Sequence, residues 1–91
     1  MNGSFEMREY TEGGRSPFAE WFDGLDVVTA ARVQRYIRRL EAGNFGAGYR
    51  VYYGREGRTI IILLGGGSKR RQEADIAAAV ARWKRYKQTH N

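Results

Sequence analysis

The sequence predicts a small α+β domain in the order β-α-α-β-β-α: a twisted, mainly antiparallel sheet with a helical hairpin and a C-terminal helix. Three observations carry that expectation. At 91 residues the chain has room for one hydrophobic core and not two, so residues 1–91 read as a single domain. Two neighbouring segments, and a third near the end, repeat apolar residues at helical spacing. Between them a tyrosine-rich alternating segment and a continuous β-branched run flank a turn rich in glycine.

Each element has its own signal. Residues 5–10 alternate loosely and read as a strand near a sheet edge, because their charges fall on one side. Gly13 and Gly14 interrupt it. Ser16-Pro17 then starts a helix, with Ser as N-cap and Pro at the first helical position. Phe18, Trp21, Phe22 and Leu25 follow at i, i+3, i+4 and i+7, giving that short helix a dense aromatic face. Asp26 caps a second helix over residues 27–41, with Ala30, Val33, Ile37 and Leu40 as its buried stripe. Gly43 or Asn44 suits the left-handed position after it. So short a link makes the two helices a hairpin lying on one side of the sheet.

The second half of the chain supplies the remaining strands. Residues 49–53 alternate, and Gly54-Arg55-Glu56-Gly57 has the chemistry of a hairpin turn. Residues 59–64 form a continuous apolar run, the pattern of a central strand buried on both faces, and Gly65-Gly66-Gly67 ends it. A last helix over residues 71–87 carries Ile76, Ala79, Val80 and Trp83 as its apolar stripe.

Composition narrows the functions. The chain is 42% apolar and 13% aromatic, which argues for a packed core and against disorder. It contains no cysteine, so disulfides, thiolate metal sites and cysteine nucleophiles are excluded, and no other metal site or cofactor is expected. There is no basic segment followed by an apolar one at the N-terminus, and the apolar run at 60–64 is too short for a bilayer. A cytoplasmic protein without membrane contact is the expectation. The net charge of +6 is unevenly placed: residues 1–45 hold six arginines and seven acids, residues 46–91 ten Lys/Arg and three acids. A basic half of that kind points to a polyanion partner or, more plainly, to a solvated helix face.

Two sites stand out. In Tyr49-Arg50-Val51-Tyr52-Tyr53, alternation puts Arg50 and Tyr52 on one face and Tyr49, Val51 and Tyr53 on the other. A cation beside aromatic rings can hold a phosphate and stack a base, as single-stranded RNA requires. The same tyrosines would also suit a half-buried sheet. The second site is the glycine run followed by Ser68-Lys69-Arg70-Arg71. Glycines allow close approach of a ligand to the backbone, and the cations arrive where helix N–H groups already favour phosphate. It is not a nucleotide-triphosphate loop, because the spacing to a Lys-Ser/Thr pair is absent. Arg32 and Arg35, on the outer face of the second helix, extend the basic RNA-binding surface. His90, the only histidine, lies in the tail. No helix-turn-helix spacing supports a DNA-binding reading.

The ordered series Phe18-Ala19-Glu20-Trp21, Ala31-Arg32-Val33, Leu40-Glu41-Ala42-Gly43-Asn44-Phe45-Gly46, Gly48-Tyr49-Arg50-Val51-Tyr52-Tyr53, and Leu63-Leu64-Gly65-Gly66 with Lys69, Gln72, Asp75, Ile76 and Ala79 covers most of the chain. In that series the sequence resembles the RelE/HigB superfamily of toxin–antitoxin killer proteins, in its phage-derived, HigB-like branch. The resemblance implies a RelE-like fold, metal-independent cleavage of mRNA on the ribosome, and neutralisation by a cognate antitoxin protein. It makes Arg50, Lys69, Arg70 and Arg71 the counterparts of the family's catalytic cations, which stabilise charge on the phosphoryl oxygens as a 2′-hydroxyl attacks. One departure is evident. The family usually has a further strand, ending in a phosphate-binding arginine, where Phe45-Gly46-Ala47 here runs straight into Gly48-Tyr49. Loss of one preorganised donor typically costs about 10²–10³ in rate, so a non-catalytic RelE-like module binding antitoxin or RNA is the alternative. The missing neighbour also predicts an exposed edge at the tyrosine-rich strand that recruits another strand, by homodimerisation, swapping or antitoxin binding.

Overall fold

A computed structural model describes residues 4–45 and 50–89. The elements are β1 (Glu6–Glu9), α1 (Pro17–Asp23), α2 (Val27–Glu41), β2 (Val51–Glu56), β3 (Ile60–Gly66) and α3 (Gln72–Thr89), with one 3₁₀ turn, Lys69–Arg71, leading into α3. The order is β-α-α-β-β-α. The three strands form one mixed sheet in the order β1-β3-β2. β1 runs parallel to β3, with Met7 opposite Ile61, and β2 runs antiparallel to it, with Gly54 opposite Ile62.

Local chemistry explains the helix starts. The Ser16 hydroxyl accepts a hydrogen bond from the Ala19 N–H at 3.0 Å, with Pro17 at the first position of α1. The Asp26 carboxylate accepts from the Thr29 N–H at 3.2 Å and so starts α2. Each cap satisfies a backbone donor that the helix itself cannot. Gly43, with φ of +86°, turns the chain out of α2.

Alternation along β3 splits the core into two layers. Ile61 and Leu63 join Phe18, Val33, Tyr36, Leu40 and Val51 on the face covered by α1 and α2. Ile62 and Leu64 join Tyr10, Ala79 and Tyr86 on the face covered by α3. A strand covered on both sides has no polar face to show, hence its uninterrupted apolar run. The helical hairpin thus lies on one face of the sheet and the last helix on the other.

The hairpin closes later than its glycines suggest. Gly54 lies inside β2 rather than in a turn, and the chain reverses around Gly57, with φ of +62°. Packing decides this. A side chain at Gly54 would meet the Trp83 ring at 2.5 Å, so glycine is the residue that lets α3 lie flat on β2. The α3 stripe is also rotated from expectation: Ala79 and Tyr86 are buried, whereas Ile76 and Val80 remain 42% and 49% exposed. In α2 the buried set is Val33, Tyr36 and Leu40, with Ile37 only partly covered.

The Gly54–Trp83 contact gives a direct test of this packing. Gly54→Ala is expected to lower stability by about 1–3 kcal/mol, the usual range for overpacking, as read by urea unfolding. A compensating Trp83→Leu in the same chain should recover part of the loss.

Candidate nucleic-acid interface

The antiparallel β2–β3 ladder brings the two sequence-predicted sites side by side. The Gly67 N–H donates to the Arg50 carbonyl at 3.0 Å, and Val51 pairs with Gly66. Arg50 therefore enters the sheet beside the end of β3, two residues before the cations of the 3₁₀ turn begin. Arg50 is half-buried. Its Nε is sealed from solvent and has no hydrogen-bond partner among the described residues, and the Tyr52 hydroxyl is in the same condition.

Asp75, in the first turn of α3, joins this pair. Burial first, and the Asp75 carboxylate second, push the Tyr52 hydroxyl above the ordinary phenol range, while Arg50 pulls it down. The Asp75 side chain lies directly over Gly67, where any Cβ would overlap its carboxylate. Arg50, Tyr52 and Asp75 thus share one electrostatic environment built from β2 and α3. Chemically it offers a cation, a neutral hydroxyl donor and a carboxylate around one corner of the sheet.

Lys69, Arg70 and Arg71 are exposed and form no ion pair among the described residues. With Gln72, Glu73 and Ala74 they line a shallow depression of about 490 Å³ at the start of α3. Glu73 and Asp75 supply the negative charge that a helix N-terminus favours and offset the three cations. Arg50 does not line that depression. The two basic groups meet through Gly67 and Asp75 rather than in one cavity.

The remaining predicted residues divide by layer. Tyr53 faces the α2 side, stacked on Phe45 with ring centroids 6.4 Å apart. Tyr53 in turn stands beside Tyr36, whose hydroxyl is held above its ordinary range by burial first and by Tyr53 second. Its ring serves the core on that face and not the Arg50 face. Arg32 and Arg35 are exposed on α2, in the layer across the sheet from α3, so they do not join the Arg50 group. Tyr49 and His90 lie outside the described residues.

The glycine run has an internal use that its sequence does not reveal. Trp21 of α1 packs on Gly66, Asp75 on Gly67, and the Arg82 guanidinium approaches Gly65 and donates to the Leu64 carbonyl at 3.1 Å. The close approach is made by the protein's own side chains rather than by a ligand. Pattern reading passed over Arg82, and it met Asp75 only within the resemblance series, not as a site residue. Their signal is a spacing of seven, which places both on one side of α3 over the glycines.

Among the described residues no group of three side chains suited to hold a metal ion occurs, and no helix is long and apolar enough to cross a membrane. No family model, curated protein or solved structure matches the chain.

Burial dictates how the site responds to alkali. Tyr36, Tyr52 and Tyr86 all have hydroxyls raised mainly by burial. The unfolded chain then loses its phenol protons first, so the stability they contribute is complete below about pH 10 and declines as pH rises beyond it. Tyr52→Phe removes one titrating group and one unpartnered hydroxyl. It is expected to leave stability near pH 8 unchanged or higher, and to shallow the decline above pH 10, as read by denaturant unfolding at both pH values.

Proposed function

We propose that the chain grips single-stranded RNA at the α3-side corner of its sheet and acts as the toxin of a toxin–antitoxin module. In this reading it cleaves ribosome-bound mRNA in the cytoplasm without a metal and is held inactive by a cognate antitoxin. The carrying observation is the Gly67–Arg50 hydrogen bond, which sets a half-buried arginine next to the turn that presents Lys69, Arg70 and Arg71. A phosphodiester spanning that corner would meet Arg50 on one side and the exposed cations on the other. The charges would stabilise the negative charge that develops as a 2′-hydroxyl attacks phosphorus and the 5′-oxygen leaves. The likeness to RelE/HigB toxins supplies the reaction and the antitoxin; the clustered cations supply its physical support.

A second reading has its own observation. α2 ends at Glu41 and β2 begins at Val51, and the sheet holds three strands, with none between those two elements among the described residues. The phosphate-binding arginine of the family's extra strand then has no counterpart. That favours a module which binds RNA or antitoxin without cutting.

Two measurements separate the readings. With single-stranded RNA, affinity should fall with salt, and Arg50→Ala or Lys69→Ala should each reduce the log–log slope by about 0.7, the value for one lost phosphate contact. On induced expression, growth arrest that disappears in Arg50→Ala supports cleavage. Harmless expression with RNA or antitoxin binding intact supports the module, and a salt slope unmoved by either substitution sinks the RNA contact in both readings.

A further inference from the structure

Two open surfaces of the molecule meet along β2. The order β1-β3-β2 leaves β2 at the sheet edge, and among the described residues no backbone hydrogen bond reaches its outer side. Beside that edge, the exposed Ile76 and Val80 of α3 line an apolar groove of about 330 Å³ with Tyr52, Leu64 and Trp83. An unpaired strand edge and an exposed apolar helix face are each unfavourable in water. A partner offering both a strand and an apolar helix face would cover them together.

We propose that this partner is a second copy of the chain, with β2 pairing antiparallel to its mate about a two-fold axis through Tyr53. The backbone phase permits it. The Arg50 carbonyl points toward β3, since it accepts from Gly67. The ladder irregularity between Tyr52 and Tyr53 skips Leu64 on β3 and leaves β2 continuous. Alternation then aims the backbone groups of Val51, Tyr53 and Arg55 outward. A two-fold axis at Tyr53 sets those groups opposite Arg55, Tyr53 and Val51 of the mate, a complete ladder.

The same register is complementary in charge. It places Arg50 of each copy opposite Glu56 of the other, so two ion pairs form on the α3 face. Arg50 is the cation whose Nε is buried without a partner. Glu56 is already held on that face by the Tyr86 hydroxyl, which donates to it at 2.7 Å.

Spacing agrees as well. α3 lies over the β2–β3 pair, through Trp83 on Gly54 and Arg82 on the Leu64 carbonyl. With strands about 4.8 Å apart, the two copies of α3 come to stand about 10 Å from each other, at the separation of packed helices. Ile76 and Val80 would fill the space between them. Repulsion between two copies of net charge +6 is screened beyond about 8 Å at physiological ionic strength.

One consequence rests on the RNA reading: pairing with Glu56 occupies Arg50, so dimer formation and RNA binding exclude each other. The mass measurement is made without RNA and stands or falls separately. Sedimentation velocity on the full chain, from micromolar to near-millimolar concentration at physiological salt, should show the mass doubling. Glu56→Arg and, independently, Val80→Asp should return it to the monomer, while the charge swap Arg50→Glu with Glu56→Arg should restore the dimer. Because the chain has no cysteine, Tyr53→Cys offers a register test. Cα atoms of a hydrogen-bonded pair stand about 5.5 Å apart, within disulfide reach, so the folded variant should oxidise to a covalent dimer. A chain monomeric at every concentration overturns the proposal. So does a dimer indifferent to Glu56→Arg and Val80→Asp, a folded Tyr53→Cys that stays monomeric on oxidation, or pairing seen only when a different protein is added.

Discussion

Burial of β3 on both faces organises everything else in this protein. Its odd and even residues feed two separate apolar layers, and each layer is completed by different helices. At an order of 25 cal/mol for each Å² of apolar surface removed from water, four consecutive near-fully buried residues, Ile61 to Leu64, make this strand a large local contribution to stability. β1 and β2 are held by their ladders to it, one parallel and one antiparallel. A substitution that turned any of these four residues polar would disturb one layer directly and the other through the sheet.

That central placement also determines where charge can collect. With both faces of the sheet covered, cations are driven to its ends and to the outer faces of the helices. At one end of the β2–β3 ladder the backbone holds Arg50 against Gly67 and delivers Lys69, Arg70 and Arg71 at the mouth of α3. At the other end Glu56 accepts from Tyr86, and past the end of β1, on the far side of β3, Arg85 binds both Tyr10 and Glu12. Among the described residues the cations of the basic corner form no ion pair, and Asp75 is the carboxylate that stands beside them, over Gly67. The proposed RNA contact and the proposed two-fold pairing draw on the same unpaired arginine, and this makes them competitors.

The order of elements was legible because local chemistry and apolar period agree. Ser16-Pro17, Asp26 and the stripe through Val33 and Leu40 specify α1 and α2 almost to the residue, since caps and spacing act within a few residues of chain. The apolar run of β3 announced a strand covered on both sides. The alternation of Arg50 and Tyr52 against Val51 and Tyr53 was equally readable, because the period of a strand is fixed by its geometry.

Neighbouring residues thus specify the element order, the two caps, the doubly covered strand and the chemical nature of a basic half. Tertiary structure alone decided which glycines serve turns and which serve packing: Gly54 reads as a turn until Trp83 from α3, far along the chain, is laid across it. It likewise decided that Tyr53 belongs to the α2-side core, that Arg32 and Arg35 lie across the sheet from Arg50, and that Asp75 stands over Gly67. The difference is one of range. Caps and periodicity are local interactions written in neighbouring residues, whereas close approach between elements depends on how far apart the backbones settle, and no short window of sequence contains that distance.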